Sequence, residues 1–264
     1  MTTVTGYQHG QFAWIDLVAS DIDAVRGFYQ ALFGWQSSPL DNPDGPAYAL
    51  FTVEGQPVAG IGGVADRDDS QTAAGSSPLW KTYICVDDMD ETIAKAAAMG
   101  ATLTAPPAAL GRAGQRATLR DPTGAPIGLW RPGTLAGVAR AYQPGALGWN
   151  ELATRDSDAA RGFYGGLFGW DLQKNPDAPA IYHIIRYQDE RRGGIMQMTA
   201  EWGEMASHWM VYFVTAAIDD ATATVSAQGG EVCVPSFDTP AGRIAVVNDP
   251  QGATFSLIQP RAAD

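Results

Sequence analysis

Two carboxylates occupy matching places in this chain, each two residues after a tryptophan: Asp16 in "WIDL" and Glu151 in "WNEL". A carboxylate taken out of water beside an indole has its pKa raised, which suits it to general acid or base work near neutral pH. The bland alternative is that each acid caps backbone N–H groups or pairs with Lys81 or an arginine. Strand alternation indicates which side chains can meet these acids, because successive residues of a strand point to opposite faces. Ile15 and Leu17 share the apolar face expected to pack on helices, so Trp14 and Asp16 turn the other way, and Trp149 and Glu151 repeat the step. The same parity turns Lys81, Tyr83 and Cys85 inward in one half, and Met210, Tyr212 and Val214 in the other, with Trp130 and Ser256 joining from the closing strands. Asp16, Glu151, Lys81 and Tyr83 are therefore the candidates for proton transfer. Trp14, Trp130, Trp149, Met210, Tyr212 and Ser256 are the candidates for ligand contact, with packing between the halves as the alternative for the aromatics. Aromatic walls with few charges suit a flat apolar molecule carrying one or two polar handles.

The elements that must position these residues occur twice. "FYQALFGW" from Phe28 returns as "FYGGLFGW" from Phe163, and the match extends without a gap over "WIDLVASDIDAVRGFYQALFGW" from Trp14 and "WNELATRDSDAARGFYGGLFGW" from Trp149, an offset of 135. "WKTYICVDDMDETI" from Trp80 matches "WMVYFVTAAIDDAT" from Trp209, and "DPTGAPIGLW" from Asp121 matches "DPQGATFSLI" from Asp249. Within each copy a short alternating strand is followed by N-cap residues, Ser20 and Asp21 in the first. Ile22, Val25, Phe28, Tyr29, Leu32 and Phe33 then fall at helical spacing, and Gly34 sits where a helix ends. The aromatics of the octet are thus the apolar face of a helix and its exit. Further strand-like segments, a second helix closed by Gly100, and two strands joined by "DPTG" complete the copy. Each module reads as a strand, a helix and three strands, run through twice. The tract around "RPGTLAGVARAYQPGA" has neither period and reads as a linker. The expected division is residues 8–132, a linker over 133–146, and residues 147–261.

The balance of charge narrows the partners. Lys plus Arg number 17 against 29 for Asp plus Glu, a net charge of −12, which repels nucleic-acid phosphates and anionic membranes. No apolar run approaches the ~18 residues of a membrane span, and the first residues lack the pattern of a signal peptide, so a cytoplasmic location is expected. Cys85 and Cys233 both lie in strand-like runs and read as buried free thiols. The glycines of "AGIGGV" and "RRGGIMQM" are not followed by a helix carrying Lys or Ser/Thr, and read as places where strands curl or approach closely rather than as phosphate loops.

The "FYxxLFGW" helix in both halves, "YICVDDMDE", and the closing strands "DPTGAPIGLW" and "DPQGATFSLI" resemble the vicinal oxygen chelate superfamily, which includes glyoxalase I, bleomycin-resistance proteins and extradiol dioxygenases. Tandem-domain glyoxalase-like proteins of actinobacteria are the subgroup it is most similar to. The resemblance implies an α+β fold: two tandem modules of βαβββ units, each a half-barrel of mostly antiparallel strands around a cavity. It also implies, in metal-dependent members, a divalent ion held by His or Glu on inner strands. Carried over one position at a time, those ligand places hold Trp14, Lys81 and Gly128 in the first half and Trp149, Met210 and Ser256 in the second; the remaining place falls in "VAGIGGV" or "RRGGIMQM". None is an ordinary ligand for a hard divalent ion. No metal and no other cofactor is therefore expected, with a metal enzyme using other ligands, such as Asp16, Glu151 or His208, as the alternative. Two readings stand ahead of it: a binding protein that sequesters a small aromatic molecule, and a metal-independent enzyme of lyase or isomerase type. A monomer with an internal pseudo-dimer, or a homodimer, fits either.

Overall fold

A computed structural model describes residues 6–43, 45–63, 78–176, 178, 180–188 and 190–261. The first half runs β1 (Phe12–Ala19), α1 (Ile22–Phe33), β2 (Gln36–Pro39), β3 (Tyr48–Val53), β4 (Gln56–Gly63), then β5 (Leu79–Cys85), α2 (Met89–Ala98), β6 (Thr102–Leu110), β7 (Gly114–Arg120) and β8 (Pro126–Pro132). The second half repeats it with β9 (Leu147–Thr154), α3 (Ser157–Phe168), β10 (Asp171–Lys174), β11 (Tyr182–Tyr187), β12 (Glu190–Gln197), β13 (His208–Val214), α4 (Ile218–Ala227), β14 (Glu231–Thr239), β15 (Gly242–Asn248) and β16 (Thr254–Pro260). Each half is one eight-stranded sheet that curls without closing, in the orders β2-β3-β4-β1-β5-β8-β7-β6 and β10-β11-β12-β9-β13-β16-β15-β14. The pairs β1–β4, β5–β8, β9–β12 and β13–β16 are parallel; the rest are antiparallel. Two βαβββ units therefore meet along β1 and β5, and again along β9 and β13, which puts Asp16 and Glu151 on central strands.

Local chemistry sets the helix ends. The Asp21 carboxylate accepts from the Ala24 N–H at the start of α1, and Gly34 closes the helix at φ 71°. Asp156 and Gly169, at φ 69°, do the same for α3. A left-handed residue there is what glycine tolerates best.

The helical faces bury against both sheets at once. One core joins Ile15, Leu17, Val25 and Phe28 of the first half to Val211, Phe213, Phe255 and Leu257 of the second. The other joins Ile84, Met89, Leu119 and Ile127 to Leu152, Phe163, Phe168 and Trp209. Each βαβββ unit thus completes its core with a unit from the other sheet. Buried polar chains cross the same junction in reciprocal pairs. The Trp80 indole donates to the Tyr29 hydroxyl at 3.1 Å, which donates to Asp249 at 3.0 Å. Trp209 donates to Tyr164 at 3.0 Å, and Tyr164 to Asp121 at 2.8 Å. The other oxygen of each aspartate accepts backbone N–H groups of its own "DPxG" turn. Trp35 and Trp170 donate to the carbonyls of Gly145 and Gly10, which lead into the first strand of the opposite half. The duplicated aromatics are therefore the joint between the halves, and every polar atom they bury is matched.

The segment after β8 is packed rather than loose, since Val138 and Ala139 donate to Ala13 and Pro57, and Gly145 to Val214. Among the described residues no helix is long and apolar enough to cross a membrane. One expectation is corrected: Cys85 is buried, but Cys233 is exposed. It lies on β14, which ends the order of its sheet and so has a neighbour on one side only.

Candidate functional site

Asp16 is only 2 % exposed and lies opposite Gly60 of β4 and Lys81 of β5. Three donors converge on its Oδ2: the Tyr83 hydroxyl at 3.1 Å, the Tyr48 hydroxyl at 3.3 Å and the Arg116 guanidinium at 3.3 Å. Tyr48 in turn accepts from the Trp14 indole at 3.0 Å, and Arg116 lies over the Tyr48 ring at 5.4 Å. Trp130 stacks on Trp14 with centroids 6.2 Å apart, and its indole donates to the Ala136 carbonyl. Two glycines make room for this. A Cβ at Gly60 would overlap the Tyr48 hydroxyl, and one at Gly128 would overlap the Tyr83 ring. Replacing Gly128 by alanine is therefore expected to displace Tyr83 from Asp16 at a cost of about 1–3 kcal/mol, as overpacking usually does; denaturant melts and the near-ultraviolet circular dichroism of the tyrosines test it.

The second half builds the counterpart around Glu151. Tyr182 and Tyr212 donate to its two carboxylate oxygens, each at 2.8 Å, and the Trp149 indole donates to the Tyr182 hydroxyl at 3.1 Å. Gly194 makes room for the Tyr182 hydroxyl as Gly60 does for Tyr48. Ser256, fully buried, is the register partner of Tyr212, and Met210 that of Glu151. Burial pushes the phenols of Tyr48, Tyr182 and Tyr212 well above their ordinary range, and the neighbouring carboxylates push the same way. They stay protonated, as donors.

The halves differ in their cations. Lys81, 7 % exposed, and Arg116 flank Asp16; by the repeat their places are taken by Met210 and Ile244 around Glu151. A cavity of about 720 Å³ opens on the first half, lined by Lys81, Tyr83, Arg112, Arg116, Thr118 and Asp41, with Ala105, Pro106 and Ala108 from β6. A second, of about 400 Å³, takes in Lys81, Trp80, Gly128, His208 and Met210. Of the residues singled out in the sequence, Asp16, Tyr83, Lys81, Trp14 and Trp130 gather in the first half, and Glu151, Trp149, Met210, Tyr212 and Ser256 in the second. Trp14 and Trp130 do not line the larger cavity; both are fully buried in the core. His208 opens β13 with its Nδ1 2.9 Å from the Ala206 carbonyl. Arg243 is held on the surface by Asp219 and Ser236. Tyr48, Tyr182 and Arg116 were not found from the sequence. The first two, at an offset of 134 like Gly60 and Gly194, could have been found by extending the repeat into "YALFTV" and "YHIIRY".

Burial pushes the Glu151 carboxyl above its ordinary 4.5, against the lowering effect of the Tyr212 and Tyr182 hydrogen bonds and of His208. A raised carboxyl pKa means the folded state binds the proton more tightly than the unfolded chain. This contribution to stability is full below the ordinary value and is lost as pH rises through the folded one. Glu151→Gln is expected to flatten the fall in stability above pH 4.5, read from urea melts of both proteins across pH 4 to 8.

The residues do not fit a divalent ion. The places where metal ligands would stand hold Trp14, Lys81 and Gly128, and Trp149, Met210 and Ser256, and the space beside Gly60 is filled by a phenol. Two cations beside Asp16 would repel a third. Among the described residues no group of three or more His, Cys, Asp or Glu side chains could hold a metal.

Two curled mixed sheets of βαβββ units, each with an inward acid on its central strand, define the class. Residues 13–130 match the glyoxalase-like domain model and residues 146–257 that of the Glyoxalase/Bleomycin resistance protein/Dioxygenase superfamily. CFP32 of Mycobacterium tuberculosis, named as a glyoxylase, is 36% identical over 262 residues, covering 96% of each chain. The anthracycline biosynthesis protein DnrV of Streptomyces peucetius is 30% identical, covering 98% of this chain and 96% of its own. The chain belongs to the Glyoxalase/Bleomycin resistance protein/Dioxygenase superfamily, in its tandem-domain form. Among solved structures, the 2,3-dioxygenase LapB from Pseudomonas sp. KL28 superposes with a TM-score of 0.65 at 14% identity, over 97% of this chain and 94% of LapB. The Mn(II)-bound glyoxalase from Novosphingobium aromaticivorans gives 0.61 at 16%, over 96% and 82%. These two likenesses concern the fold alone.

Proposed function

We propose that the first half binds a flat aromatic molecule bearing an acidic group, without a bound metal. The observation that carries this reading is the 720 Å³ cavity lined by Lys81, Arg116 and Tyr83 together with Ala105, Pro106 and Ala108 of β6. Apolar walls favour a planar ring system, while the cations select an anion and fix its orientation. The anthracycline biosynthesis proteins support the ring system, since an anthracycline is a fused planar aromatic.

A second reading, acid–base turnover, rests on one contact. Tyr83 lines the cavity and donates to buried Asp16, so the phenol can pass a proton between a bound molecule and the carboxylate.

Titration with anthraquinone-2-carboxylate, followed by tryptophan fluorescence, tests the binding reading. Lys81→Met and Arg116→Ile, which install the residues of the second half, are expected to weaken it at least about tenfold each, about 1.4 kcal/mol. Equal binding of the neutral 2-(hydroxymethyl)anthraquinone, or no change in either variant, rejects the reading. Turnover that Tyr83→Phe abolishes while binding persists would establish the enzyme.

A further inference from the structure

We infer that the second half carries a separate site for an organic cation, an aromatic or alkyl ammonium, centred on Glu151. The proposal goes beyond the anion site of the first half and does not depend on it. Its basis is a difference between two clusters that descend from one plan. In the first half the acid is 2 % exposed and ion-paired with Arg116. In the second, Glu151, Trp149, Tyr182 and Met210 are all partly open to solvent, and the two cation positions have become Met210 and Ile244. The phenols of Tyr182 and Tyr212 hold one oxygen each at 2.8 Å and so fix the carboxylate without neutralising its charge. Each oxygen keeps a further lone pair for a ligand's N–H. Trp149, Tyr182 and Tyr212 are the aromatic side chains gathered on this carboxylate by hydrogen bonds, and aromatic rings beside a carboxylate are what an ammonium ion seeks, cation–π and Coulomb attraction acting together. Burial raises the Glu151 pKa, while the Tyr212 and Tyr182 hydrogen bonds and His208 lower it; His208 stands at the start of β13 with its ring held to Ala206, and it shares a cavity with Met210 and Lys81.

The site is tested with benzylammonium as the probe, whose N–H groups can reach the carboxylate, titrated by calorimetry and by quenching of tryptophan fluorescence. The full chain is expected to bind it. Glu151→Gln should weaken binding at least tenfold, and Trp149→Phe should remove most of the quenching. Because a glutamine in that network could disturb the fold, Met210→Lys is the second variant: it keeps Glu151 and its tyrosines and adds the cation of the first half, and the same loss is expected. An ammonium ion that does not bind at millimolar concentration, or binds equally to both variants, overturns the inference. Anthraquinone-2-carboxylate run in parallel reports on the other half, so loss of its binding alone touches the anion site and not this one.

Discussion

Trp170→Ala is expected to lower stability by about 3–5 kcal/mol, the usual range for removing a buried tryptophan, and to weaken both halves together. Trp170 is stacked on Tyr164 at 5.2 Å and touches Phe12, Phe168 and Trp209 at 5.0, 5.6 and 6.3 Å, while its indole donates to the Gly10 carbonyl at 2.7 Å. Phe12 and Gly10 belong to the first half, so the cavity left by the indole opens across the joint. The Gly10 carbonyl also loses its donor, and an unpaired buried carbonyl adds its own penalty. Against a typical total of about 5–15 kcal/mol, such a loss is large. Hydrogen exchange should show β1 and β5 losing protection alongside α3 and β13, within one thermal transition. A variant in which the first half keeps its own melt while the second loosens would contradict the shared core.

Much of this joint was legible. The 135-residue repeat, the caps of α1 and the apolar spacing from Ile22 to Phe33 gave the βαβββ units and the buried face of each helix. What could not be read was the partner of that face. Hydrophobic periodicity says that Phe28 and Tyr29 are buried, but not that Phe255 and Asp249 bury them, because such contacts depend on how two sheets meet in space. The candidate sites divided along the same line. Parity on β1 and β5 put Asp16, Lys81 and Tyr83 on one face, since strand geometry is local. Tyr48 and Arg116 reach the same carboxylate from β3 and β7, and their arrival depends on sheet order and on room made at Gly60. A glycine's missing side chain leaves no mark in a hydrophobic pattern, so the space it opens was invisible until the strands were paired.

Asp16→Asn separates structure from chemistry in the first half. The Asp16 Oδ2 takes three donors, and Oδ1 is buried with no hydrogen-bond partner among the described residues. An asparagine has no good orientation there. With its oxygen at the Oδ2 place, the amide N–H₂ is buried without an acceptor; turned over, it faces the hydroxyls of Tyr48 and Tyr83 and the Arg116 guanidinium. Either way the charge opposite Arg116 is gone. Breaking a fully buried ion pair costs about 3–5 kcal/mol, but the Arg116 side chain keeps 16% of its exposure, and water screens part of that loss. The expected cost is therefore about 1–3 kcal/mol in urea melts at pH 7. Binding of an acidic aromatic should move the other way. Removing a negative charge 3.3 Å from Arg116 leaves the cavity more positive, so anthraquinone-2-carboxylate should bind roughly tenfold more tightly, about 1.4 kcal/mol. If the Asp16–Tyr83 pair also moves a proton, turnover disappears in the same variant that binds better, a combination that a purely structural carboxylate does not produce. Weaker binding at unchanged stability would mean that Asp16 meets the ligand itself, and the placing of Lys81 and Arg116 as the anion's partners would fall.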